Sequence, residues 1–221
     1  MVAFDHLVIH SYNPKKHQEM FSTFHHLTGL PGGKHEQWGT YNYLAFMENN
    51  SYIEWLGIEH EEQASQSDNP LIQQTYKANK NHIEGPIQFA LRVNYLDDYI
   101  NSFNQKGIEY AGPFPGSRQK LDGTRLDWRM LFPKPSSEGS PIPFLIEWSG
   151  EGNLPKDKSL INETPFTSIE IGVDHVEEYA QLLEELIQLK RVDQNSFQLE
   201  NGQLIIGAHK GLIAHFNHIT F

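Results

Sequence analysis

The sequence predicts an α+β protein built from paired βαβββ modules that face each other across a cleft, with a third βαβββ-like module at the C-terminus. Two observations carry this prediction. An order of strand, amphipathic helix, then two or three strands runs through residues 1–58, returns at 86–149 and returns again, shortened, at 166–221. The punctuation agrees with the periodicity: Gly29 and Gly107 stop the first two module helices, and Asn201-Gly202 and Lys210-Gly211 separate the final strands.

Residues 3–10 (AFDHLVIH) alternate as a strand, and Asn13-Pro14 then opens a helix whose apolar face is Met20, Phe21, Phe24 and Leu27. TYNYLAFM and SYIEWLGI read as two strands about a Glu48-Asn49-Asn50 turn, with a shorter strand before them within residues 33–38. Residues 59–85 form a polar connector carrying one extra helix from Asn69-Pro70 through Tyr76. The second module opens with PIQFALRV and a helix bearing Leu96, Tyr99, Ile100 and Phe103, followed by strands at 108–114, 124–132 and 143–149. Between its last two strands, residues 134–143 (KPSSEGSPIP) form a long loop suited to a lid. Residues 1–150 thus make the cleft-forming domain and 151–165 a linker. The third module has a strand at 167–173, a helix faced by Val176, Tyr179, Ala180, Leu183, Leu186 and Ile187, and strands at 196–200, 203–208 and 211–219.

The 221 residues, 38% hydrophobic and 20% charged, are an ordinary globular composition. With 28 acidic against 17 basic residues the net charge is −11, which gives no electrostatic footprint for nucleic acid or anionic membrane. The absence of cysteine removes disulfides, thiolate metal sites and thiol catalysis. No run reaches the about 18 apolar residues of a membrane span, and the N-terminus has no basic segment leading into a long apolar one, so a soluble cytoplasmic protein is expected. The charge is uneven. Residues 87–148 hold seven basic and seven acidic residues, and four of the five arginines (Arg92, Arg118, Arg125 and Arg129) lie there. Guanidinium forks suit a carboxylate or phosphate ligand, or they pair with neighbours such as Asp97 and Asp127.

Strand alternation sorts the polar side chains. Leu7 and Ile9 toward the helices turn His6, Val8 and His10 the other way; Ile53 and Trp55 leave Tyr52, Glu54 and Leu56 on the opposite face. In the second module Phe89 and Leu91 oppose Gln88 and Arg92, while Phe144, Ile146 and Trp148 oppose Glu147. If Trp128 packs toward the helices, Arg129 points to the cleft. Each module then offers one coordinating group on its first strand and one carboxylate on its last. His6, Glu54, Gln88 and Glu147 would converge on one divalent metal ion (Zn, Ni, Co, Mn or Fe), or would be ordinary sheet residues facing water.

DHLVI opening the first module and FLIEW closing the second, together with GGKHEQWGTYNYLAF, SYIEWLGI and RLDWRMLFP, resemble the vicinal oxygen chelate superfamily. That superfamily includes glyoxalase I, bleomycin-resistance proteins and extradiol dioxygenases, and within it these stretches look like glyoxalase-like domain proteins of bacteria. The resemblance implies metal ligands at His6, Glu54, Gln88 and Glu147, similar to one glyoxalase I set with the modules exchanged. Gln88 in place of a histidine disfavours extradiol iron chemistry. His35, Thr40 and Asn42 belong to the diagnostic stretch and either line the cleft or serve the local backbone.

Two functions follow from this reading. One is a metal-dependent lyase or isomerase acting on a small anionic carbonyl or hydroxy-acid compound, with Glu54 or Glu147 as general base and Arg92, Arg118 and Arg129 as the anion clamp. The other is a metal-free protein that binds or sequesters a small molecule in the same cleft. The third module, with no fourth to complete a second cleft, either pairs two copies into a homodimer or covers an exposed edge of the first two.

Overall fold

The computed structural model describes residues 2–119, 123–134, 141–150 and 152–221. The elements of the first module are β1 (Ala3–His10), α1 (Pro14–His25), β2 (Leu30–His35), β3 (Thr40–Met47) and β4 (Ser51–Ile58). The connector supplies α2 (Glu61–Ser65) and α3 (Pro70–Lys80). The second module follows as β5 (Gly85–Arg92), α4 (Leu96–Lys106), β6 (Glu109–Gln119), β7 (Arg125–Lys134) and β8 (Phe144–Trp148). After β9 (Ile161–Asn162), the third module consists of β10 (Phe166–Gly172), α5 (Val176–Ile187), β11 (Lys190–Arg191), β12 (Ser196–Leu199) and β13 (Gly202–Gly207), and β14 (Gly211–Phe216) and β15 (Ile219–Thr220) end the chain.

Local chemistry explains the helix starts. The Asn13 side chain accepts from the Lys16 N–H ahead of Pro14, and the Asn69 side chain accepts from the Leu71 N–H ahead of Pro70, so both helices begin with a side-chain cap and a preset first φ. The left-handed Gly107 (φ 68°) ends α4 at little cost in strain.

One sheet runs in the order β2-β3-β4-β1-β5-β8-β7-β6, with β9 added beside β3. Within each module the first and last strands pair in parallel: β1 with β4, β5 with β8, β10 with β13. The modules join through β1 and β5, which are antiparallel. The sheet curls until its outer strands meet, where Arg118 of β6 donates to the Gly32 carbonyl of β2 and Gln37 Nε2 donates to the Pro115 carbonyl (2.9 Å).

Both faces of this sheet are packed. On the outer face Phe4, Leu7, Ile9, Phe89 and Leu91 join α1, α4 and the whole third module in one core. On the inner face Val8, Leu56, Ala90, Phe144 and Ile146 are covered by Leu71 and Ile72 of α3. The connector helix therefore lies inside the curl of the sheet and fills most of the expected cleft. The 134–143 lid falls mainly on residues 135–140, outside the described residues. The linker differs from expectation too, since β9 pairs in parallel with β3 and Asn162 bonds both the N–H and C=O of Thr28 (2.7 and 2.9 Å).

The third module departs from the sequence reading in its strand roles. Its three strands after the helix are β11, β12 and β13, so β14 is not the last strand of the module. It lies antiparallel to β10 as β5 lies to β1, in matching register: Phe4↔Leu91 and His6↔Ala90 in the first sheet correspond to Phe166↔Phe216 and Ser168↔His215 in the second. β14 thus takes the place that the opening strand of a fourth module would have beside β10. By this register the counterpart of His6 is Ser168, and Glu170 corresponds to Val8. The module's apolar face is used within the chain, with Phe166 stacked on Phe4 at 3.9 Å between ring centroids. Its other face, bearing Glu170 and His215 (3.0 Å apart), is partly exposed. No helix among the described residues is long and apolar enough to cross a membrane.

Asn201 fastens the third module to the first strand: its Oδ1 accepts from the Phe4 N–H and its Nδ2 donates to the Phe4 carbonyl, both at 2.8 Å. Asn201→Ala leaves a strand-like pair of backbone groups without partners and is expected to cost about 1–3 kcal/mol, read as a lower urea midpoint with an unchanged slope.

Candidate functional site

The site begins with a bulge in β1. The register against β5 slips between Phe4 and His6, making Asp5 the extra residue, so Asp5 and His6 both turn inward although they are neighbours on a strand. His6 Nδ1 donates to Asp5 Oδ1 (2.7 Å), and its Nε2 faces Glu54 Oε2 on β4 (3.4 Å). Asp5 Oδ2 also accepts from Trp148 Nε1 (2.9 Å) and Arg92 Nη1 (3.0 Å). Glu54 Oε1 accepts from Asn42 Nδ2 on β3. All of Asp5, His6 and Glu54 are buried.

The electrostatics follow from these bonds. Burial opposes a charge on His6, but its hydrogen bonds and attraction to Asp5 and Glu54 outweigh that and push the imidazole up to about 9, an imidazolium at neutral pH. Burial likewise opposes the charges on Asp5 and Glu54, and the same imidazolium, with Arg92 for Asp5 and Asn42 for Glu54, holds both carboxylates below their usual values. His35, buried beside Trp38 and Trp128 and sharing a hydrogen bond with Thr40 Oγ1 (3.0 Å), is the opposite case. Burial lowers it to about 4 and the charges on Arg118 and His6 add to this against the attraction of Glu54, so it is neutral.

These side chains border a cavity of about 30 Å³, room for one or two waters or one carboxylate-sized group. His6, His35, Asn42, Glu54 and Arg118 supply its polar wall, and Trp38, Trp128, Phe144 and Trp148 its aromatic wall. Arg118 donates to Gly32 O and to Asn153 Oδ1 (2.7 Å), and among the described residues no carboxylate pairs with it. Asn42 is 4% exposed, yet its Oδ1 has no hydrogen-bond partner. It fits there only because residue 32 is glycine: a Cβ would lie 2.1 Å from that oxygen.

The structure separates the other expected site residues from this cavity. Thr40 serves His35 and does not line it. Arg92 is bound to Asp5 and to Asn50 O (2.7 Å). Gln88 faces inward, but its amide donates to Ile142 O (3.0 Å) and its oxygen accepts from the Phe89 N–H (2.9 Å). Glu147 and Arg129 are corrections: both lie on the outer face, where Glu147 Oε2 accepts from Arg129 Nε (2.8 Å) and Arg129 also pairs with Asp97 at the start of α4. The alternation on β7 and β8 is the reverse of that expected, because the inner face is itself an apolar core that takes Trp128, Ile146 and Trp148, while Leu131 and Leu145 face the helices.

The donor set accordingly does not fit a divalent metal. Only His6 and Glu54 of the four expected ligands face each other, a proton holds them together, and among the described residues no three His, Asp or Glu side chains gather around one point. Sequence reasoning missed Asp5, Asn153 and the inward Trp148. Asp5 had a signal in its adjacency to His6, but only a bulge makes that adjacency a contact.

A curled sheet of two βαβββ modules around a buried inward-facing His–Glu pair defines a protein of the vicinal oxygen chelate superfamily. Residues 4–187 match the sequence model of the glyoxalase-like domain, and the chain belongs to that family. Among solved structures, a hypothetical protein from Staphylococcus aureus is similar over 94% of this chain and 87% of its own, with 16% identity and a TM-score of 0.78. A Streptomyces coelicolor methylmalonyl-CoA epimerase variant, solved with 2-nitronate-propionyl-CoA, matches 70% of this chain and 100% of its own at 17% identity and a TM-score of 0.50. At such identities the likeness is one of fold. No curated protein matches the sequence.

The two histidines give stability opposite pH dependences. The contribution of His6 is complete below its unfolded value near 6.5 and is lost as pH rises through about 9, a change on the order of 3 kcal/mol. Neutral His35 destabilises the fold progressively as pH falls from 6.5 toward about 4. Urea midpoints measured across pH should fall on both sides, with His6→Gln flattening the alkaline limb and His35→Gln the part of the acid limb between 6.5 and about 4.

Proposed function

We propose that this protein binds a small carboxylate of the 2-oxo or 2-hydroxy acid type in the inner cavity, and does so without a metal ion. The observation that carries the reading is a charge excess. Among the described residues, Asp5 and Glu54 face three cations, His6, Arg92 and Arg118, which leaves one positive charge at the wall where Arg118 hydrogen-bonds only the Gly32 carbonyl and Asn153. A buried guanidinium favours an anion that completes its fork. The acceptor left open on Asn42 supports a hydroxyl donor on the same ligand. Every group involved comes from one chain, so the binding reading requires no second subunit.

The metal-dependent lyase or isomerase is less well supported. Gln88 and Glu147 are engaged elsewhere, and the bonds of Glu54 to His6 and Asn42 lower its basicity, which makes it a weak proton acceptor. Isothermal titration of the chelator-treated protein with glycolate, lactate, pyruvate and acetate tests the choice. Binding in the absence of metal is expected, with the hydroxy acids ahead of acetate, and Arg118→Met should weaken it at least about thirty-fold. Binding that appears only with an added divalent metal, or no binding of any of the four, would overturn the reading.

A further inference from the structure

A cavity of about 30 Å³ holds the polar head of a ligand and little more, so the rest of any larger molecule lies beyond its walls. Two outer cavities share those walls. One, of about 330 Å³, adjoins at Tyr52, Trp148 and Asn153 and is lined by Asn50, Ser51 and Asn94; its arginine, Arg92, is already bound to Asp5 and Asn50 O. The other, of about 210 Å³, adjoins at Leu44, Arg118 and Asn153 and is apolar, walled by Leu30, Pro31, Phe46, Pro155 and Leu160. Its carboxylate, Asp157, accepts from the Ser159 N–H (2.9 Å) and hydroxyl (2.7 Å) and is engaged in its own turn. Lys156 adds a second cation to the wall.

Asn153 stands between the inner cavity and this groove. It is 7% exposed, its Oδ1 accepts from Arg118, and its buried Nδ2 has the Tyr52 hydroxyl beside it but makes no well-formed hydrogen bond. Among the described residues, a guanidinium with no hydrogen-bonded carboxylate and an amide donor with no well-formed bond thus meet where an apolar trough begins. Leu44 bridges the two spaces, and a Cβ on Gly32 would lie 2.8 Å from its Cγ.

We propose that the groove at Leu30, Phe46, Pro155 and Leu160 is the tail site for an amphipathic monocarboxylate, whose carboxylate is held by Arg118 and Asn153 and whose aliphatic tail lies along the apolar wall. This rests on the anion-binding reading above and narrows its ligand class. The test is titration of the intact chain with glycolate, 2-hydroxybutanoate, 2-hydroxyhexanoate and 2-hydroxyoctanoate, with gluconate and 1-octanol as controls. Affinity should rise roughly fourfold per added methylene. Arg118→Met should weaken the whole series. Leu160→Ser should flatten the chain-length dependence while leaving glycolate binding unchanged, and Leu30→Ser on the facing wall is the second variant should the first fail to fold.

Glycolate binding with a flat series overturns the tail site alone and leaves the anion reading standing, whereas no binding by any acid overturns both. Gluconate binding tighter than 2-hydroxyoctanoate would assign the ligand to the polar outer cavity instead. Octanol binding as tightly as the acid would remove the role given to Arg118 and Asn153.

Discussion

Two carboxylates and an imidazolium removed from water are tolerable only together, because each alone would carry a desolvation cost that its partners offset. The chain Asp5, His6, Glu54 sets that condition at the centre of the first sheet, and much of the surrounding geometry serves it. The bulge in β1 turns Asp5 inward; Trp148 and Arg92 occupy its second oxygen; Asn42 holds Glu54 and depends on the missing side chain at Gly32. Arg118 in turn bonds the Gly32 carbonyl, so the residue that supplies the excess charge also brings β6 against β2 and draws the sheet closed. Loss of one charge would strand the others, which makes the site and the sheet's curvature parts of one constraint.

The module order, the starts of α1 and α3 and the inward direction of His6 and Glu54 were legible in the sequence because each rests on a local rule, a 3.6 or 2 residue period or a capping asparagine before proline; the glycine stop held for α4 at Gly107, whereas α1 ends at a left-handed His26, ahead of Gly29. The reversal on β7 and β8 was not. Alternation tells which residues share a face, and assigning that face needs one side to be polar. Here α3 fills the inside of the curl, both faces are apolar, and the larger residues Trp128, Ile146 and Trp148 go inward. Glu147 and Arg129 consequently join the outer face, where with Asp97 they tie β7 and β8 to the first turn of α4. The position of α3 rests on contacts with β1, β4 and β5, outside its own segment, and no pattern within residues 59–85 announces it.

The third module repeats the geometry of the first without its chemistry. The slip between Phe166 and Ser168 falls where the slip between Phe4 and His6 falls, with Thr167 in the place of Asp5. The same backbone irregularity that aims a carboxylate into a charge chain in one module presents a hydroxyl to the His215 carbonyl at 3.1 Å in the other. The bulge is thus a property of the module, and the charge chain is a use made of it.

Asn201 lies 197 residues from its backbone partner Phe4. During synthesis β1 leaves the ribosome ahead of β4 and β5, acquires them as those segments follow, and still lacks the amide that satisfies the backbone at Phe4 until Asn201 emerges. Of the strands in its sheet, the earliest made therefore waits for the third module to be completed. A nascent chain halted before the third module would present Phe4 and Phe89 on a bare outer face, and that interval is when it has most to gain from a holding chaperone.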